Sequence, residues 1–279
     1  MRIDAHHHLW NFSEAEYGWI SEDSAILRRD FGLPELKAAL KSAGMDACLA
    51  VQARQTVEET RWLLSLAAEA GSPIAGVTGW LPLASSDLDE LLEDLAEERL
   101  LKGVRHVVQD EPDPEFILGE AFNRGVDKLA GAGLIYEILI FERQLPGTLE
   151  FVRRHREQPL VLDHIAKPRI ADGELQPWAE HIRALGSFDN LSCKLSGMIT
   201  EADPENWSVE ELRPYADTVL EAFGPERVMF GSDWPVSLLG AEYREWCAAA
   251  ETLIAELSPN EQKLIMGENA RRIYHLEPR

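Results

Sequence analysis

Eight short apolar runs, each followed by a segment of helical periodicity, constrain this chain more than any other feature. The runs are 2–6 (RIDAH), 47–52 (ACLAVQ), 74–79 (IAGVTG), 103–108 (GVRHVV), 134–140 (LIYEILI), 159–164 (PLVLDH), 190–195 (NLSCKL) and 227–232 (RVMFGS). They are short and rich in Val, Ile and Leu, as strands covered on both faces are. The segments between them carry helix punctuation. Thr56 and Glu59 form a capping box ahead of Val57, Leu63, Leu64 and Ala67, with Gly71 as the stop. Ser86 precedes Leu88, Leu91, Leu92 and Leu95 at helical spacing, and Ser258, Pro259 and Glu261 mark another helix start. No linker, low-complexity stretch or fixed-period repeat divides residues 1–279. The expectation is a single α/β domain folded as a (β/α)8 TIM barrel. An open doubly wound sheet competes, but no GxGxxG or P-loop follows the first run.

In such a barrel, chemistry sits where strands end. The first run closes on Asp4, His6 and His8. Residues i and i+2 of a strand share a face, so the two imidazoles converge on one metal ion and Asp4 shares their parity. His7 points away. A tag remnant or paired core histidines would explain the run differently, though a native-looking strand is a poor place for a tag. His164 is the only other histidine that closes a strand; Asp163 precedes it, faces the opposite way by parity and reads as structural. Asp233, in FGSDWP, lies just past the last strand and completes a set of three histidines and one carboxylate. Other polar groups at strand ends are Gln52, Arg54, Arg105, His106, Glu137 and Lys194, with Trp10, Trp80 and Trp234 nearby. Arg105 and His106 are adjacent, so one at most points into the barrel. Lys194, inside an apolar strand, requires a buried partner.

Composition excludes several classes. With 49 Asp+Glu against 27 Lys+Arg, the net charge is −22, which argues against nucleic acid and against polybasic membrane contact. Cys48, Cys193 and Cys247 cannot pair completely, and two of them lie in apolar runs as buried thiols. The N-terminus has no secretory h-region, and no stretch is long and apolar enough to span a membrane. A cytoplasmic protein is expected, and the pattern is compatible with a homo-oligomer.

DAHHHLW at 4–10, VLDHIAKP at 161–168, CKLSGM at 193–198, FGSDWP at 230–235 and ENARRIY at 268–274 together resemble the amidohydrolase superfamily. Within it, the chain resembles amidohydrolase family 2, the lactonase-like metal-dependent hydrolases, and most of all its sugar-acid lactonases. The resemblance spans essentially the whole chain. It implies a distorted (β/α)8 barrel, metal ligands at His6, His8 and His164, and a base or fourth ligand at Asp233. The superfamily's binuclear members carry a lysine after the fourth strand and a histidine after the fifth. GVRHVV and LIYEILIF supply neither, so one divalent metal is expected, zinc or else manganese.

The implied reaction is hydrolysis of a small-molecule lactone such as L-fuconolactone. Metal-activated water attacks the carbonyl, Asp233 moves the proton, and Lys194 and His106 are candidate oxyanion donors. Gln52, Arg54, Arg105 and Glu137 are candidate hydroxyl partners, with Trp10 and Trp80 as apolar walls. Two other reactions on the same barrel compete: non-oxidative decarboxylation of an aromatic acid, and opening of a dicarboxylated pyrone. The pyrone calls for several arginines, and only Arg54 and Arg105 are on offer. A barrel that binds without turnover would be favoured by loss of a histidine or Asp233, and none is lost.

Overall fold

A computed structural model describes residues 1–277. Eight parallel strands run in sequence order around a barrel: β1 (Ile3–His7), β2 (Ala47–Val51), β3 (Ile74–Gly79), β4 (Leu101–Val107), β5 (Ile135–Leu139), β6 (Leu160–Leu162), β7 (Leu191–Leu195) and β8 (Val228–Phe230). Every strand is largely buried, because helices cover the outside and side chains fill the bore. The larger apolar cluster lies between strands and helices. A smaller one fills the barrel floor, where Ile3, Ala5, Leu49, Ile135, Val161 and Met229 meet Ala270 of the C-terminal helix Asn269–Ile273 and Tyr274 just beyond it. Cys48, Cys193 and Cys247 are buried and not joined by disulfides. Among the described residues, no helix is long and apolar enough to cross a membrane.

The capping signals meet different fates. Ser258 and Glu261 complete both halves of a capping box on the helix Pro259–Lys263. Thr56 caps Val57–Ala68 by accepting the Glu59 N–H, but the Glu59 carboxylate does not return to Thr56. It accepts the backbone N–H groups of Ala53 and Arg54 instead, at 2.9 and 2.7 Å, and so tethers the loop after β2. Ser86 is not the cap it resembles; Asp87 holds that position ahead of Leu88–Asp94.

Between β8 and β1 no regular ladder forms among the described residues; an isolated bridge joins His7 to Trp234. The seam is held by His8 N–H on the Trp234 carbonyl (2.7 Å), Asp233 N–H on the His6 carbonyl (2.8 Å) and the Asp4 carboxylate. Asp4 accepts from Ser232 N–H, Ser232 Oγ and Tyr243 Oη at 2.8, 2.6 and 3.0 Å. This corrects the parity expected for Asp4. Ile3 and Ala5 face the bore, so Asp4 points outward, and the register shift between Asp4 and His7 then turns His6 and His8 inward.

Burial pushes the Asp4 carboxyl up to about 6, against the opposing hydrogen bonds from Ser232, His6 and Tyr243. A raised carboxyl means the native state holds the proton more tightly than the unfolded chain does. This contribution is fully present below the ordinary carboxylate range and lost as pH rises through about 6. Asp4→Ala should cost about 3 kcal/mol by stranding three buried donors. In urea titrations, the gap to wild type should be wider by about 1 kcal/mol at about pH 5 than at about pH 8. An unchanged gap would remove Asp4 from the seam's pH dependence.

Candidate active site

The mouth of the barrel at the strand C-termini opens on a cavity of about 750 Å³, lined by His8, Gln52, Arg54, Arg105, His164 and Asp233 among others. This volume suits a small molecule. At its floor, Asp233 Oδ1 lies 3.7 Å from His6 Nε2, 3.4 Å from His8 Nε2 and 3.8 Å from His164 Nε2. His6 Nε2 and His8 Nε2 are 3.2 Å apart. All four side chains are buried.

Local backbone irregularity creates this convergence. The β1 register shift aims His6 and His8 inward. β6 ends at Leu162, two residues earlier than its sequence run, and His164, Ile165, Ala166 and Lys167 follow with φ of 52°, 49°, 60° and 47°. Four consecutive left-handed residues without glycine are strained, and Ile165 more than most, because its branched Cβ crowds the carbonyl. This turn overturns the expected parity of Asp163: Asp163 and His164 both reach the site. Gly197 follows β7 at φ 64°, where a Cβ would come within 2.8 Å of the His164 ring. Asp233 is also left-handed, at φ 56°.

Each histidine is held by its other nitrogen. His8 Nδ1 is 2.8 Å from the Val51 carbonyl, which can only accept, so the proton sits on Nδ1 and Nε2 keeps its lone pair. His164 Nδ1 is 2.9 Å from Ser196 Oγ. His6 Nδ1 lies 3.5 Å from Asp163 Oδ1 and 3.1 Å from Lys194 Nζ. Such ring anchoring is the usual support of metal-ligating imidazoles.

The protonation states agree. Burial holds His6 well below the ordinary imidazole range, helped by Lys194. Burial also lowers His164 to about 4, against the pull of Asp233. For Asp233, burial acts upward, but His164 and His8 outweigh it and hold the carboxyl below its usual range. Neutral imidazoles beside an ionised carboxylate are the state a divalent cation requires. His6, His8 and Asp233 form one group with ligand atoms close enough to hold an ion, and His6, Asp163 and His164 form another.

Beneath the histidines lies a sealed charge network. Lys194 Nζ sits 2.6 Å from Glu137 Oε2, 3.1 Å from Asp163 Oδ1 and 3.1 Å from His6 Nδ1. Thr78 Oγ1 and Tyr274 Oη donate to the other Glu137 oxygen at 2.6 and 2.5 Å. Arg105 donates to Asp163 Oδ2 at 3.1 Å and to Gln52 Oε1 at 2.9 Å. Burial would raise Asp163, but Lys194, His6 and Arg105 outweigh it and keep it ionised.

The structure sorts the remaining candidates. Gln52, Arg54 and Arg105 line the cavity. Glu137 and Lys194 are fully buried outside that lining, with Lys194 turned to three acceptors, so neither faces a ligand. His106 lies on the other face of β4 from Arg105. Its ring is bonded by Trp80 Nε1 and Glu111 and stacked on Phe116, outside the lining. Trp80 is occupied by that contact. Trp10 is buried against Phe31, with its N–H on the Arg29 carbonyl. The wall position falls instead to Trp19, half exposed on the long loop after β1, and Gln109 and Lys167 join the lining. Loop residues carry no periodic signal; only the KP after VLDHIA hinted at Lys167.

The amidohydrolase family pattern matches residues 3–276. An L-fucono-1,5-lactonase from Burkholderia multivorans is 38% identical, covering 99% of this chain and 96% of that protein. A second L-fucono-1,5-lactonase, from Burkholderia ambifaria, is 34% identical with the same coverage. The crystal structure of a Burkholderia multivorans amidohydrolase with bound zinc has a TM-score of 0.94 at 39% identity, over 99% of this chain and 100% of that one.

Removing one member of the sealed network should be costly. Lys194→Met leaves Glu137 and Asp163 short of a buried cation and should destabilise by about 3–5 kcal/mol in urea. Lys194→Met combined with Glu137→Gln should recover a substantial part of that loss. Strict additivity of the two changes would show that the pair is not coupled.

Proposed function

The chain belongs to the amidohydrolase family, and from that premise we propose that it is a lactonase, hydrolysing a neutral sugar lactone of the L-fuconolactone type to the sugar acid. The observation that carries this reading is the convergence of His6, His8 and His164 on Asp233 at the floor of a cavity of small-molecule size. The similarity to two L-fucono-1,5-lactonases across nearly the full chain supports the substrate class.

His6, His8 and Asp233 fit one divalent ion, with His164, 3.8 Å from Asp233, as the further candidate ligand and zinc the first choice for imidazole and carboxylate donors. Such an ion would supply Lewis acidity and lower the pKa of bound water. The protein's own part is proton movement and positioning. Asp233, ionised and facing the cavity, takes a proton from the attacking water as its oxygen adds to the lactone carbonyl carbon. When the ring C–O bond breaks, Asp233 returns the proton to the departing ring oxygen.

The lining suits a neutral, hydroxyl-bearing ligand. Arg54 is paired with Glu16, and Arg105 with Asp163. Little cationic capacity is left for a dicarboxylated pyrone. Arg105 fixes the Gln52 amide oxygen, leaving its buried Nε2 without a partner, and Gln109 Oε1 is a buried acceptor without a donor. An orphan donor and an orphan acceptor in one cavity match sugar hydroxyls, and a ligand lacking hydroxyls would leave both unpaired.

Proton release on adding L-fuconolactone, L-rhamnonolactone and related aldonolactones of both ring sizes tests the reading. Turnover of at least one is expected, and Asp233→Asn should lower kcat by about a hundredfold or more. No turnover of any lactone, with carbon dioxide released from an aromatic acid, would reverse it. Full activity in Asp233→Asn would remove the proton role.

A further inference from the structure

We propose that Lys167 is the residue that meets the negative charge created at the lactone carbonyl and then holds the product carboxylate; this rests on the lactonase reading above.

Three cations line the cavity, and two are already committed. Arg54 is paired through Nη1 with Glu16, and the terminal nitrogens of Arg105 are bonded to Asp163, Gln52 and His6. Lys167 differs. Among the described residues its Nζ has no hydrogen-bond partner; its neighbours are Glu201 Oε1 at 3.9 Å and the Phe141 ring at 5.3 Å. The side chain is one-fifth exposed, so it sits in a partly dehydrated wall and keeps donors for a ligand. It lines the same cavity as His164 and Asp233.

The backbone supplies an independent argument. A left-handed turn has about three to four residues, so the turn from His164 to Lys167 brings both to the same mouth of the barrel. Holding L-residues in this conformation is costly, because Cβ crowds the following carbonyl oxygen. Ser196 and Gly197 account for how His164 is held. They do not explain why the turn runs on through Ala166 to Lys167. Delivering an ammonium to the cavity does.

The chemistry needs such a group. Water adds to the carbonyl carbon, and the carbonyl pair moves onto oxygen. Collapse restores the C=O bond, breaks the ring C–O bond and leaves a carboxylic acid that ionises to carboxylate. A neutral ligand thus acquires one negative charge, first on the carbonyl oxygen and then on the product. A donor aimed at that position favours the transition state over the bound lactone.

The test compares wild type, Lys167→Met and Lys167→Arg on the lactone that wild type turns over best. Lys167→Met should lower kcat about 10²–10³-fold with KM for the lactone changed far less. Inhibition by the corresponding sugar acid should weaken more than tenfold, while inhibition by the corresponding neutral sugar alcohol stays the same, and Lys167→Arg should restore part of both losses. A KM rise at constant kcat, or unchanged inhibition by the acid, overturns the proposal. If wild type opens no lactone, the lactonase reading fails by itself. Calorimetric titration with aldonates then still decides the residue: carboxylate binding lost in Lys167→Met supports it, and equal binding rejects it. Circular dichroism of each variant separates these outcomes from misfolding.

Discussion

A lysine ammonium sealed in the bore of a barrel is the constraint around which the strand C-terminal end is arranged. Lys194 has no access to water, so its charge must be met within the protein or the chain could not keep it there. Glu137 and Asp163 meet it, and Arg105 brings a second cation against Asp163. Two cations and two carboxylates leave the network neutral. Its members come from β4, β5, β7 and the end of β6, and its edge reaches β1 through His6. Because each charge depends on the others, the strand ends are fixed relative to one another, and the histidines inherit that rigidity. Removing one partner is expensive, while the intact network adds little net stability over apolar packing. Its contribution is therefore positional.

The seam between β1 and β8 complements this network. A barrel closed by regular pairing would need no side chain there. This one uses the Asp4 carboxylate and two backbone hydrogen bonds, and the same few residues carry the site. Asp233 donates its N–H to the His6 carbonyl while its carboxylate faces the His6 ring. Closing the barrel and assembling the site are one event, and the β1 irregularity that follows the outward Asp4 turns His6 and His8 inward.

The architecture was legible because period-2 and period-3.6 patterns are local. All eight runs became strands, and the floor-closing C-terminal segment carried its own signal in ENARRIY. The His6 and His8 pairing was legible for the same reason. Parity failed at Asp4 and Asp163, in both cases because the backbone leaves regular strand geometry beside the site, through a register shift and a left-handed turn. Strain and irregularity concentrate at functional positions, so strand rules are weakest where the chemistry lies. His106 and Trp10 were misplaced for another reason. A polar or aromatic residue near a strand end can be satisfied by its neighbours, Glu111 for the one and the Arg29 carbonyl for the other, and sequence does not reveal those partners. Trp19, Gln109 and Lys167 sit on loops whose path over the barrel mouth depends on distant contacts such as those of Glu59 and Glu16.

The charge of −22 takes on a different meaning beside this geometry. The acidic excess lies on the solvated helices and loops outside the barrel, whereas the bore is neutral and two of the three cavity cations are paired with carboxylates. A neutral ligand entering such a protein feels little of the surrounding field. An anionic one is opposed by it on the way in and favoured on the way out. On the lactonase reading, the substrate enters neutral and the product leaves charged, so the field does not resist the first and helps expel the second. The division of labour is then spatial. A single locally available ammonium favours charge at the moment it forms, and the acidic envelope, acting at longer range and weakened by salt, favours its departure.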